Sequence, residues 1–254
     1  IASSGRGNIH VRDGVLRTEQ LNRLKKILSI QGKVVVESWL TKVLDLSFHF
    51  DLHPNGSTTK IGWTRFITDK RGQYRGSIIG NMTAGLCSEI KQFLYGKGRA
   101  PHRFQELGEE LMESTGSTMS SLGYVGPIGI DTIIYRDPKK KLRIKPIIEI
   151  NPRWTMGRVG KNLSTKVNSS RTGIWLIVQQ REANVIGNRS LHEWAEYIEK
   201  SFPIEFTTDG QISRGAVFTT DPVQSNTFAT LLLVDETLEK CRQRALSFGI
   251  EFEI

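Results

Sequence analysis

Ile147-Ile148-Glu149-Ile150-Asn151-Pro152-Arg153 is the stretch that decides how this chain is read. It is apolar and rich in β-branched residues, so it reads as a strand. A strand alternates its side chains, so Glu149 and Asn151 share one face and Ile148 and Ile150 the other. The isoleucine face can pack into a core. The other face offers a carboxylate and an amide oxygen about 7 Å apart along the strand. Arg153 points the same way if the strand runs on through Pro152.

The neighbouring strand extends this pattern. Strands over 127–136 and 142–151 flank Asp137-Pro138-Lys139-Lys140-Lys141, which closes them as an antiparallel hairpin. In a hairpin centred near Lys140, the numbers of facing residues sum to about 280, which sets Asp131 opposite or diagonal to Glu149. Two facing carboxylates repel unless a cation joins them. A hard divalent ion with oxygen ligands relieves the repulsion, and Mg²⁺ is the usual one when phosphates complete its shell. Asp131, Glu149 and Asn151 are therefore candidate metal ligands, and Arg153 a candidate stabiliser of a transferring phosphoryl group. The competing reading is a solvated polar strand face. It suffices for Glu149 alone but accounts less well for the four residues together.

The rest of the sequence limits what such a site can belong to. The chain has 254 residues, 38% of them hydrophobic, a globular composition with room for one large domain or two small ones. No apolar run approaches the roughly 18 residues of a membrane span, and no secretory signal pattern is present. Two cysteines, Cys87 and Cys241, exclude a disulfide scaffold and a cysteine-built zinc site and fit a cytoplasmic setting. The net charge of +9 favours anionic partners without choosing among them. There is no G-x-x-x-x-G-K-[ST] loop, no G-x-G-x-x-G, no H-E-x-x-H and no G-x-S-x-G elbow.

Upstream, Thr18 can cap a helix carrying Leu21, Leu24, Ile27 and Leu28, ended by Gly32. Val34-Val35-Val36 reads as a buried strand leading into Glu37-Ser38-Trp39-Leu40. Strands are expected over 43–52 and 60–68 around His53-Pro54-Asn55-Gly56, and over 74–79. Helices are expected over 83–95 and from Pro101 to about Leu122. Past residue 165 the pattern is mixed. Ser190 and Glu193 form a capping box before a helix, strands are expected over 217–220 and 227–234, and Leu238, Cys241, Ala245 and Leu246 line a last helix. Without a regular βαβ rhythm the class is α+β.

Two further segments suit a nucleotide. In Ser3-Ser4-Gly5-Arg6-Gly7, glycines let backbone N–H groups approach phosphate oxygens; the alternative is an ordinary surface loop. Val34 to Asp45 can present main-chain groups to a purine edge, with Asp45 free to accept ribose hydroxyls. The alternative there is a strand end with Trp39 as core filler.

In their order and separations these pieces resemble the ATP-grasp superfamily. The resemblance covers about residues 1–165. It makes Ser4, Gly5, Arg6 and Gly7 the loop over the ATP phosphates, and Glu37, Ser38, Trp39 and Leu40 the adenine hinge. Asp45 becomes the ribose acid, one residue adrift of some members. Asp131, Glu149 and Asn151 match the Mg²⁺ ligands. Glu149-Ile150-Asn151-Pro152-Arg153 is most similar to the biotin carboxylase and carbamoyl phosphate synthetase branch, where the arginine acts at the reacting centre. The resemblance implies an α+β ATP-grasp fold with a mixed or antiparallel sheet. It also implies an ADP-forming ligase that uses ATP and Mg²⁺ to activate a carboxylate as an acyl phosphate for attack by an amine or thiol. The family carries a phosphate-contacting lysine upstream of the glycine-rich loop, so the chain is expected to be the C-terminal portion of a longer protein. Residues 166–254 are expected to be an α+β extension packed on residues 1–165. Two alternatives remain. One is a catalytically inactive ATP-grasp domain. The other is a basic nucleic-acid-binding module built on Trp63, Arg65, Lys70, Arg71, Tyr74 and Arg75.

Overall fold

The computed structural model describes residues 9, 11, 14–69, 72–96, 103–187, 189–225 and 227–252. Among these, α1 (Thr18–Gln31) precedes three consecutive strands, β1 (Thr41–Leu52), β2 (Thr58–Thr68) and β3 (Tyr74–Gly80). Two helices follow, α2 (Ser88–Tyr95) and α3 (Arg103–Ser121), and then the hairpin β4 (Gly126–Arg136) and β5 (Leu142–Asn151). The chain continues through α4 (Met156–Ser164), β6 (Thr172–Gln179), α5 (Gln180–Val185) and α6 (Leu191–Ser201). It then forms β7 (Glu205–Phe206), β8 (Ile212–Phe218), β9 (Phe228–Asp235) and α7 (Leu238–Ser247). The strands make one sheet in the order β5-β4-β1-β2-β3-β6-β9-β8-β7, and each pair of neighbouring strands is antiparallel.

Alternation along β1 separates the two faces of this sheet. Leu44, Leu46, Phe48, Phe50 and Leu52 are all buried. They pack with Leu94 of α2 and with Phe104 and Leu111 of α3. Further along the same face, Ile174, Leu176, Leu231 and Leu233 lie under Trp194 of α6 and Cys241 and Ala245 of α7. Trp194 is fully buried, and its indole N–H donates to the Phe248 carbonyl at 3.2 Å, so its one polar atom is satisfied. The opposite face is apolar where Ile79, Trp175, Leu232 and Val234 meet Met156 and Leu163 of α4. It turns polar toward β1, β4 and β5. α4 lies where the character changes, and the candidate site sits on the polar side.

The two long hairpins have the limits expected to within two residues, because each turn is set by local chemistry. Gly56 adopts φ 80°, and Asn55 Oδ1 accepts from the Ser57 N–H at 3.0 Å. In the second turn Asp137 Oδ1 accepts from the Lys141 N–H at 2.9 Å, and Lys140 takes the left-handed φ of 61°. That conformation costs a residue with a Cβ about 1–2 kcal/mol. Lys140→Gly is therefore expected to raise stability by up to about 1 kcal/mol, once the entropy of glycine in the unfolded chain is subtracted. Equilibrium urea unfolding checks it.

Several expectations are corrected. Residues 33–40 form no strand, and Val35 and Val36 are 85% and 89% exposed. An apolar run becomes a strand only where a neighbour takes its backbone hydrogen bonds, and β1 is already flanked by β2 and β4. The cap of α1 is Arg17, not Thr18, though Gly32 ends the helix with φ 70° as expected. α2 starts at Ser88, because Asn81 to Gly85 form a turn in which the Asn81 side chain accepts from the Thr83 N–H. β6 went unassigned, although its run from Ile174 to Val178 is apolar. The isoleucine face of β5 does share the core side of the sheet, since Ile150 pairs with Ile130. It is not buried, however: Ile148 and Ile150 are 45% and 37% exposed, because β5 is the edge strand.

Candidate functional site

On the polar face, Asp131 of β4 pairs directly with Glu149 of β5 on one side and with Ser47 of β1 on the other. The next pair along is Gly129 with Asn151. Asn151 is buried, its Nδ2 donates to Asp131 Oδ2 at 3.2 Å, and Arg153 Nη2 donates to its Oδ1 at 2.7 Å. Four residues singled out by strand alternation are thus brought together. The register holds at this end of the hairpin. It shifts between Asp131 and Ile133, where Pro146 lacks an N–H and its carbonyl accepts from the Thr132 hydroxyl at 2.7 Å.

The Asp131 carboxyl is pushed up to about 6, mainly by burial and further by the Glu149 and Asp45 carboxylates; Ser47 and Arg153 pull it partway back. A carboxylate held this way is relieved by a cation. The donors are all oxygen, and two are carboxylates, which suits a hard divalent ion with phosphate oxygens completing its shell. Among the described residues no cluster of three or more His, Cys, Asp or Glu that could hold a metal is present. A metal here would rest on Asp131 and Glu149, with the Asn151 amide oxygen available once Arg153 releases it.

Beside this group, α4 is locked to the sheet. Thr155 caps it by accepting from the Arg158 N–H. Gly157 packs so closely on β1 and β2 that a Cβ there would lie 2.7 Å from His49 Nε2 and 2.8 Å from Thr64 Oγ1. His49 itself is buried, bonded to Thr64 Oγ1 at 2.7 Å, and lies 3.4 Å from Thr155 Oγ1. Burial, then Arg158 and Lys161, push its imidazole down to about 3, so it serves as a neutral wedge. Its folded value lies below the ordinary 6.5, so the unfolded chain binds the extra proton and stability falls as pH drops from 6.5 toward 3. Asp131 acts in the opposite sense over part of that range. Unfolding of His49→Gln beside the parent isolates the histidine contribution, and the variant is expected to lose less stability in acid.

The remaining sequence-predicted residues are placed as follows. Ser4, Gly5, Arg6 and Gly7 lie outside the described residues. Glu37 reaches Lys145 of β5, Oε1 to Nζ at 2.5 Å, so the stretch leading into β1 is tied to the strand bearing Glu149. Ser38 and Trp39 are exposed, Trp39 by 73%, and Leu40 is half-buried; Trp39 does not fill a core. Asp45 is buried on the same face as Asp131 and accepts from Lys42 Nζ at 2.5 Å and Thr68 Oγ1 at 3.0 Å. Burial raises its carboxyl, and Lys42 and Thr68 offset part of the rise. Sequence reasoning missed His49, Asp51, Lys42 and Gly157. Alternation along β1 was the available signal, since it puts Asp45, Ser47, His49 and Asp51 on one face. A cavity of about 550 Å³ lies instead at the turn between β1 and β2, lined by Ser57, Met112, Glu113 and Ser117 among others, and holds none of these residues.

Three of the six residues of the nucleic-acid alternative are engaged within the fold. Trp63 stacks on Phe104 at 3.6 Å between ring centres. Arg65 is buried and donates to the Ala84 carbonyl, and Arg75 is buried against Glu182. Lys70 and Arg71 lie outside the described residues. Side chains taken up inside the fold are not available to stack on bases.

No family model matches the sequence, and neither does any curated protein. Solved structures do match. Pyruvate carboxylase of Rhizobium etli, determined with acetyl coenzyme-A, superposes on 99% of this chain and 23% of its own, with TM-score 0.53 and 14% identity. N5-carboxyaminoimidazole synthetase of Staphylococcus aureus, complexed with ADP, covers 98% of this chain and 58% of its own, with TM-score 0.50 and 11% identity. The chain spans little more than half of the synthetase and less than a quarter of the carboxylase. Both neighbours have the ATP-grasp fold. The chain thus has the α+β ATP-grasp fold. No helix among the described residues is long and apolar enough to cross a membrane.

Proposed function

We propose that this chain is the Mg²⁺–ATP-binding part of an ADP-forming ligase that activates a carboxylate as an acyl phosphate for attack by an amine or thiol. One observation carries the reading: on an ATP-grasp fold, Asp131 and Glu149 face each other, with Asn151 and Arg153 bonded beside them. The neighbours in fold support it, and one was determined with ADP.

In this reading Asp131, Glu149 and Asn151 hold Mg²⁺, which offsets phosphate charge during transfer. Arg153, already pointed at Asn151, sits where its guanidinium can meet the charge that develops on the transferring phosphoryl group. Asp45 lies on the same face for the ribose, and Glu37 to Leu40 lead directly into β1 for the base. Ser4 to Gly7 would cover the phosphates. The carboxylate and the amine or thiol are small molecules, and the rest of the substrate site belongs to an upstream portion of the same protein.

The chemistry leaves an isotopic trace. A carboxylate labelled with ¹⁸O passes one labelled oxygen to phosphate when the acyl phosphate is displaced. With ATP, Mg²⁺ and a panel of labelled acids offered with amines and thiols, labelled phosphate is the expected product for the cognate acid. ADP formation in which the phosphate oxygen comes from solvent throughout would overturn the ligase reading in favour of simple hydrolysis.

A further inference from the structure

We infer that Arg158 is a positioning residue for the turn that carries Asn151 and Arg153. The geometry stands by itself; the functional consequence rests on the reading above. β5 is the edge strand and ends at Asn151, and Pro152 has no N–H to donate. Within the turn the main chain supplies a single bond of its own, from the Arg153 N–H to the Asn151 carbonyl at 2.8 Å. The direction of Arg153 is therefore set by what the following residues hold on to.

They hold on through Arg158. This side chain is only 10% exposed. Its two terminal nitrogens donate to the two oxygens of Asp51 on β1, at 2.8 and 2.9 Å. Its guanidinium carbon lies 4.7 Å from the centre of the Trp154 ring, and the Trp154 carbonyl accepts from Arg153 Nη1 at 3.4 Å. A continuous line of contacts thus runs from Asp51 on β1 through Arg158 and Trp154 to Arg153, Asn151 and Asp131 on β4. Only a planar guanidinium can bind a carboxylate through its edge and stack on an indole through its face. Arg158 is thus engaged on both sides, by a carboxylate and by an indole.

The test compares the parent with Arg158→Lys and Asp51→Asn, the second being isosteric at a partly exposed position. Amide hydrogen exchange is read at Arg153, Arg158 and Val159, with Ile130 and Leu233 as core controls. The Mg²⁺ concentration that half-saturates binding of a non-hydrolysable ATP analogue is read in parallel. Exchange at Arg153 is expected to rise at least about tenfold in both variants with the controls unchanged. The Mg²⁺ requirement should rise by about 10–100-fold, the usual penalty when a group that orients metal ligands is lost. Unchanged exchange at Arg153 overturns the inference, whatever the nucleotide does. Faster exchange with an unchanged Mg²⁺ requirement also overturns it, leaving Arg158 to dock α4 only. If exchange rises while the parent shows no Mg²⁺-dependent binding, the positioning stands and the ligase reading falls.

Discussion

An Asp131→Asn variant should be more stable than the parent at about pH 7.5, by about 2 kcal/mol, and should lose Mg²⁺-dependent ATP binding. The Asp131 carboxyl stands at about 6 in the folded protein against an ordinary 3.8. The folded state therefore keeps a proton that the unfolded chain has already lost. Stability from this group is full below about pH 4, declines as pH rises, and reaches its full penalty above about pH 6. Asparagine has the same shape and no charge to desolvate, so its advantage should be absent near pH 4, grow as pH rises and be complete above about pH 6. The shift corresponds to about 3 kcal/mol, reduced to about 2 because the carboxylate keeps some contact with solvent. Urea unfolding at the two pH values reads the stability, and calorimetry reads the lost binding. A carboxyl kept at a cost to the fold marks Asp131 as a candidate functional group.

Gly157→Ala should lower stability by about 1–3 kcal/mol and loosen α4. Two effects oppose each other. Alanine gains about 1 kcal/mol over glycine inside a helix. Against that, the new Cβ would lie 2.7 to 2.8 Å from His49 Nε2, His49 Cε1 and Thr64 Oγ1. His49 and Thr64 are buried and bonded to each other at 2.7 Å, so neither side chain moves without breaking that bond. Overpacking of this kind costs about 1–3 kcal/mol, and the broken buried hydrogen bond adds about 1 kcal/mol. The steric side wins. Chemical unfolding checks the size, and exchange at the α4 amides checks where the loosening occurs.

The legibility of the site in the sequence follows the range of the forces involved. The hairpin of β4 and β5 was readable because alternation and a five-residue turn settle it locally, and the facing of Asp131 with Glu149 followed from counting. The turns at Asn55-Gly56 and Asp137 to Lys141 were legible for the same reason. Val34 to Val36 misled because composition reports an apolar run but not whether a partner strand is free to pair with it. Ile148 and Ile150 misled similarly: alternation gave their face correctly, but only the strand order shows that β5 is an edge. Trp63 and Arg65 looked like a surface platform, yet their burial depends on α3 and on the turn at Ala84, both distant in sequence. Arg158, Asp51, His49 and Gly157 were opaque because each matters through a contact about one hundred residues away, which neither spacing nor motif encodes. Ser190 and Glu193, by contrast, form the capping box read from them, since a cap spans only four residues.

Calorimetric titration of a non-hydrolysable ATP analogue, with and without Mg²⁺, into the parent and Glu149→Gln tests the central claim most directly. Glu149 pairs with Asp131 across the hairpin, and the amide keeps its size while removing its charge. The account predicts binding that depends on Mg²⁺ and weakens at least about tenfold in the variant, as loss of one charged ligand to a hard cation requires. Binding that is indifferent both to Mg²⁺ and to the substitution would contradict it.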